Sequence, residues 1–162
     1  MREAIIQILC AGLGTLGFAL FFQVRKQHLI TASLGGALSW LCYLAVRENC
    51  AGVFLSSLVA SAVICLWSEA MARVRKAPAN VFLIPGIVPL LPGGALYYAM
   101  SGIVSGDLEQ FVQKGKETAL VAVGIAGGIV IGSEIVRLIM SIRLRNRRRV
   151  ETKGKTSQKE KN

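Results

Sequence analysis

Residues 84–94 read Ile84-Pro85-Gly86-Ile87-Val88-Pro89-Leu90-Leu91-Pro92-Gly93-Gly94. They lie within an uncharged apolar run from Val81 to Val104. A run of that length is long enough to span a bilayer, but its centre cannot be one regular helix. Each interior proline removes a helical hydrogen bond and clashes with the preceding turn, at a cost of about 3 kcal/mol. Inside lipid the freed backbone groups need partners in protein or in a water-filled cavity. The run therefore predicts a transmembrane helix broken near its middle.

Four more apolar runs surround this one: residues 4–24, 29–46, 51–72 and 118–142. With 81–104 they make five segments of 18 to 25 residues, each enough to cross with some tilt. The expected fold is an all-α integral membrane protein of about five transmembrane helices, the fourth broken. Its transmembrane domain covers residues 1–142, and a basic, unstructured cytoplasmic tail covers 143–162. Hydrophobic residues make up 53% of the chain and charged ones 17%, and the charges cluster between the runs. The first run is expected to stay in the protein. Arg25 and Lys26 follow it, whereas a cleaved signal carries its positive charge in front.

The formal net charge of +10 could suggest nucleic acid, but its placement argues against that. The tail from Arg143 holds nine Lys or Arg and two acids, and a basic stretch beside an apolar helix suits anionic lipid heads. With the N-terminus outside, Arg25, Lys26, Arg73, Arg75, Lys76 and the nine tail cations all lie inside. Arg2, Arg47, Lys114 and Lys116 lie outside, so the positive-inside rule favours this orientation in the cell membrane. A re-entrant fourth segment would weaken the bias and stays open as an alternative. So does the role of the Gly124, Gly128 and Gly132 ridge, which suits either internal packing or a subunit interface.

Broken helices near the bilayer midplane bind substrates and ions in secondary transporters. A half-helix starting near Gly93-Gly94 would aim its positive dipole end at the break and favour a carboxylate. Pro85, Gly86, Pro89, Pro92, Gly93, Gly94 and Tyr97 are therefore the substrate-binding candidates, and Tyr98 adds a second hydroxyl. The alternative is a kink used for packing. Ionisable residues inside spans are functional candidates by default, which singles out Glu69, Glu134 and Arg137 as proton-coupling or charge-pair candidates, with Arg137 able to hold a substrate carboxylate. Two of these have simpler readings: Glu69 can pair with Arg73, and Glu134 with Arg137. His28 reads as a flanking residue, and Trp40 and Trp67 as anchors or packing residues. Cys10, Cys42, Cys50 and Cys65 show no ligand spacing. With one histidine, no metal cluster and no phosphate loop, neither a cofactor nor an enzyme is indicated.

Ser68-Glu69-Ala70-Met71-Ala72-Arg73, Pro78-Ala79, Phe82, Pro85 through Gly93, Tyr97, Met100 and Gly106-Asp107 together resemble the threonine/serine exporter family. The likeness is closest to the small membrane subunit of the split form, which is similar to the C-terminal half of the fused exporter. The resemblance implies export driven by the proton motive force. Its substrates would be small carboxylates: threonine and serine, or succinate-like dicarboxylates in another branch. It also implies a larger membrane subunit carrying a hydrophilic N-terminal domain. Five spans beside a related five-span unit give the opposed topologies of inverted-repeat transporters. Homo-oligomerisation, a passive channel and a non-transporting scaffold are the other readings.

Overall fold

The computed structural model describes residues 2–49 and 52–159, with side chains through residue 142. Six α-helices follow in order: α1 Arg2–Phe21, α2 Lys26–Asn49, α3 Val53–Arg75, α4 Asn80–Ile87, α5 Gly93–Ser105 and α6 Leu108–Lys159. A 3-10 turn, Val88–Leu90, joins α4 to α5. Helices α1, α2, α3 and the 108–142 part of α6 are each long and apolar enough to cross a membrane. The pair 80–90 and 93–105, bent by 52° at the break, passes the same test when taken together and gives a fifth span if it crosses as one. The all-helical membrane fold is thus as expected. The basic tail continues α6 as helical backbone, and its side chains lie outside the described residues, as do Cys50 and Ala51.

The interior is built from small residues and the exterior from large ones. Ala19, Ala32, Ala60, Ser39, Ser56, Ser57 and Ser61 are wholly buried, while Leu9, Leu13, Ile30, Phe21 and Leu138 are more than half exposed. A water-soluble bundle sorts its side chains the other way. In lipid there is no hydrophobic drive between helices, so close backbone approach replaces it. Buried hydroxyls return their protons to their own helices: Thr15 to the Ala11 carbonyl, Ser57 to Val53 and Ser68 to Ile64, at 2.7–2.8 Å. No buried hydroxyl among these is left for lipid to satisfy.

The glycine ridge of α6 serves internal packing. A Cβ on Gly124 would lie 2.8 Å from the Phe54 carbonyl, and one on Gly132 would lie 2.8 Å from Cys65 Cβ. One on Gly128 would collide with Ser61 and the Leu58 carbonyl. These pairs advance together along both chains, so α3 and α6 run in the same direction. That fixes the path between them. The chain leaves α3 at one end of the bundle and enters α6 at the other, so residues 76–107 must traverse it. A re-entrant hairpin would have returned the chain to the end it left, and α6 would then oppose α3.

The sequence sets the fifth apolar run at 118–142, after a polar stretch from Ser105 to Glu117 whose mixed charges read as a connection. In the structure α6 already begins at Leu108. Gly106 closes α5 in the left-handed region at φ 78°, and the Asp107 carboxylate accepts the Gln110 amide at 3.0 Å as an N-cap. Glu109 with Gln113, and Lys114 with Glu117, add support one turn apart. The mixed charges that suggested a loop are i,i+3 and i,i+4 partners on a helix surface.

Candidate functional site

The break is assembled one backbone group at a time. Pro85 sits inside α4 and has no amide to offer the Val81 carbonyl one turn earlier. Pro89 interrupts the next turn, which tightens to 3-10 geometry over Val88–Leu90. At Pro92 the backbone takes φ −79° and ψ 51°, and the Gly93 amide donates to the Leu91 carbonyl at 2.8 Å. That is an inverse γ-turn. Helix α5 then starts with the Leu96 amide donating to Pro92 at 2.9 Å. The Ser39 hydroxyl of α2 lies 2.8 Å from the Gly36 carbonyl and 3.2 Å from that of Gly86, so one proton is shared between them. The neighbouring helix thereby supplies a donor the broken helix lacks.

The predicted residues divide between two environments. Pro85 and Gly86 are buried at the centre of the bundle. A Cβ on Gly86 would come within 2.6 Å of Ile64, and Gly36 and Thr15 meet just as tightly beside it. Pro89 and Pro92 are half-buried. Gly93, Gly94 and Tyr97 are exposed, with nothing within 4 Å of a Cβ at either glycine. Tyr97 and Tyr98 stack edge-to-face on each other at 5.5 Å. Helix α5 packs on α6 and makes no comparable contact with α1, α2 or α3. The first half of the break is thus enclosed within the chain, and the second half faces outward.

The charged candidates are paired. Glu69 meets Arg73 at 3.4 Å and Glu134 meets Arg137 at 3.1 Å. Arg137 and Glu134 are 78% and 61% exposed, on the side of α6 away from α3. Among the described residues no three His, Cys, Asp or Glu side chains are grouped to hold a metal.

A cavity of about 690 Å³ opens between the α1–α2 and α3–α4 turns. Arg25, Arg75, Lys76, Gln23 and Asn80 line it, and it extends to Val81, Ile84 and Pro85. No carboxylate lines it. Gln23 and Lys76, at equivalent places after α1 and α3, both adopt positive φ, 56° and 51°. His28 also lines the cavity and is only 5% exposed, its ring edge-to-face with Phe82 at 5.4 Å. Reading from sequence placed His28 on a flank. Its burial comes from α4, far along the chain. The available signal was that two basic turns on one side of the membrane must share an end of the bundle.

No solved structure matches the chain. The family described as Threonine/Serine exporter, ThrE, matches residues 7–135, a stretch that holds most of α1, all of α2 to α5 with the whole break, and most of the apolar part of α6. A multi-pass helical chain with a transporter-like helix break, matched over most of its length, belongs to the threonine/serine exporter family.

Proposed function

We propose that the chain is the small membrane subunit of a secondary transporter that exports small amino acids of the threonine/serine type, coupled to the proton motive force. The observation that carries this reading is the break itself: a membrane-crossing segment interrupted from Pro85 to Gly94, its first half at the bundle centre beside a cavity that reaches Pro85. Such interruptions are tolerated at membrane depth only in protein or beside water. An amino-acid zwitterion fits the surroundings. Its carboxylate suits the cation-lined cavity, and its ammonium suits the Val81 carbonyl, which Pro85 cannot serve.

The half-open break supports a partner. Gly93, Gly94 and Tyr97 are exposed in this chain, and a larger subunit of the same family laid against α5 would close the break over them. The N-terminus lies outside and the tail inside, which puts the cation-lined cavity at the cytoplasmic face, where an exporter loads. Glu69 and Glu134 are the proton-coupling candidates, each paired with an arginine one turn along its own helix.

The test is efflux from cells loaded with labelled threonine, serine or succinate, with and without the larger subunit. Efflux of threonine or serine that needs both chains and collapses with an uncoupler is the expected result. Efflux that persists without the gradient would make the protein a channel. Succinate as the exported species would move it to the dicarboxylate branch, which a mouth with three cations and no acid also accommodates.

A further inference from the structure

The His28 ring has an unsatisfied group. Gln27 Nε2 lies 3.1 Å from His28 Nε2, and with that amide donating, the ring carries its proton on Nδ1. Nδ1 is buried and has no hydrogen-bond partner. A buried donor without an acceptor costs about 1–3 kcal/mol, so its persistence points to a partner that is bound and released. The surroundings define the partner's chemistry. Three cations and the Asn80 amide line the same cavity, and no acid does. A cation would be repelled there, and an apolar group would leave every one of these donors unmet. An oxyanion satisfies them together.

We propose that the cavity between the α1–α2 and α3–α4 turns is an oxyanion site. Arg25, Arg75 and Lys76 draw the anion in, the Asn80 side chain holds it, and a shift of the buried His28 ring toward the cavity gives it the Nδ1–H. The site adjoins the break: the cavity holds Pro85, where the break begins, and none of the residues from Gly86 to Gly94. Its role as the loading point for the break rests on the exporter reading; the binding itself does not. The oxyanion is a carboxylate if the ligand is a soluble substrate and a phosphate diester if it is an anionic lipid head.

The full chain in nanodiscs distinguishes these. In purely zwitterionic lipid, labelled serine and succinate are titrated by scintillation proximity. Phosphatidylglycerol is titrated separately and followed by native mass spectrometry. The expected result is saturable binding of one of these probes. It should weaken about 10-fold in His28→Phe, which keeps an aromatic ring against Phe82, and about 10-fold in Lys76→Asn, which tolerates the left-handed backbone. Lys76→Asn should keep the thermal midpoint of the parent and His28→Phe should keep or raise it, and Lys76→Asn alone carries the test if His28→Phe does not fold. Binding of serine or succinate assigns the site to soluble carboxylates. Binding of phosphatidylglycerol alone assigns the oxyanion site to lipid and removes its loading role. No saturable binding of any probe, or binding unchanged in both variants, overturns the site. Efflux lost in cells while nanodisc binding persists would count against the transport reading and leave the site standing.

Discussion

At Gly128 a single methyl group would collide with the Ser61 side chain and the Leu58 carbonyl, and backbone cannot retreat as a flexible side chain can. Gly128→Leu should therefore lower stability by about 3 kcal/mol or more, in the range of overpacked cores, seen as a fall of the thermal midpoint in detergent. Gly14 provides the contrast. Nothing lies within 4 Å of a Cβ there, and Gly14→Ala should gain about 0.5–1 kcal/mol from helix propensity alone. If the two variants behaved alike, the α3–α6 seam would not be as tight as described. Ser39 supplies a third case. Removing its hydroxyl orphans the buried Gly86 carbonyl, so Ser39→Ala should cost about 1–2 kcal/mol and should depress efflux more than a comparable loss at a lipid-facing position. Some residues of this kind could be read from sequence and some could not. Three prolines signal a break in any context, because a missing amide is a property of the residue. Tyr97 is a candidate by its nearness in sequence, and the face it presents, which tertiary packing decides, is outward in this chain. The burial of His28 was not legible either, since it is made by Phe82 on a different helix.

Helix existence was legible from apolar run length, and helix ends were not. The start of α6 at Leu108 depends on Gly106 turning left-handed and on Asp107 capping, a two-residue signal hidden within a stretch whose mixed charge suggests a loop. Whether the fourth segment crosses was also beyond the sequence, because charge counts leave both paths open. The parallel run of α3 and α6 decides it. In a background free of native cysteines, Pro78→Cys and Ser105→Cys should react with a membrane-impermeant maleimide from opposite sides of the membrane. Labelling of both from one side would mean that the segment re-enters. The bend of 52° fits a crossing, since α5 still advances along the bundle while swinging away from α1 to α3.

The whole molecule has one finished side and one unfinished side. Helices α1 to α4 enclose each other, whereas α5 leans on α6 alone, with Tyr97, Met100 and Val104 exposed. The Glu134–Arg137 pair also lies exposed on α6, where an ion pair contributes at most about 1 kcal/mol to the chain's own stability. Replacing both with leucine should leave the thermal midpoint of the isolated chain nearly unchanged. If the larger subunit covers this face, the same double variant should reduce its co-purification; equal recovery would place the subunit elsewhere. The α3–α6 seam has a last consequence, in the order of synthesis. Gly132 follows Arg75 by 57 positions, so at about 5–20 residues per second the serine-lined face of α3 waits about 3 to 11 s for its partner. Through that interval it stands against lipid, or against whatever insertion machinery holds it, and a ribosome stalled between the two helices would leave a nascent chain whose most polar membrane face has no cover.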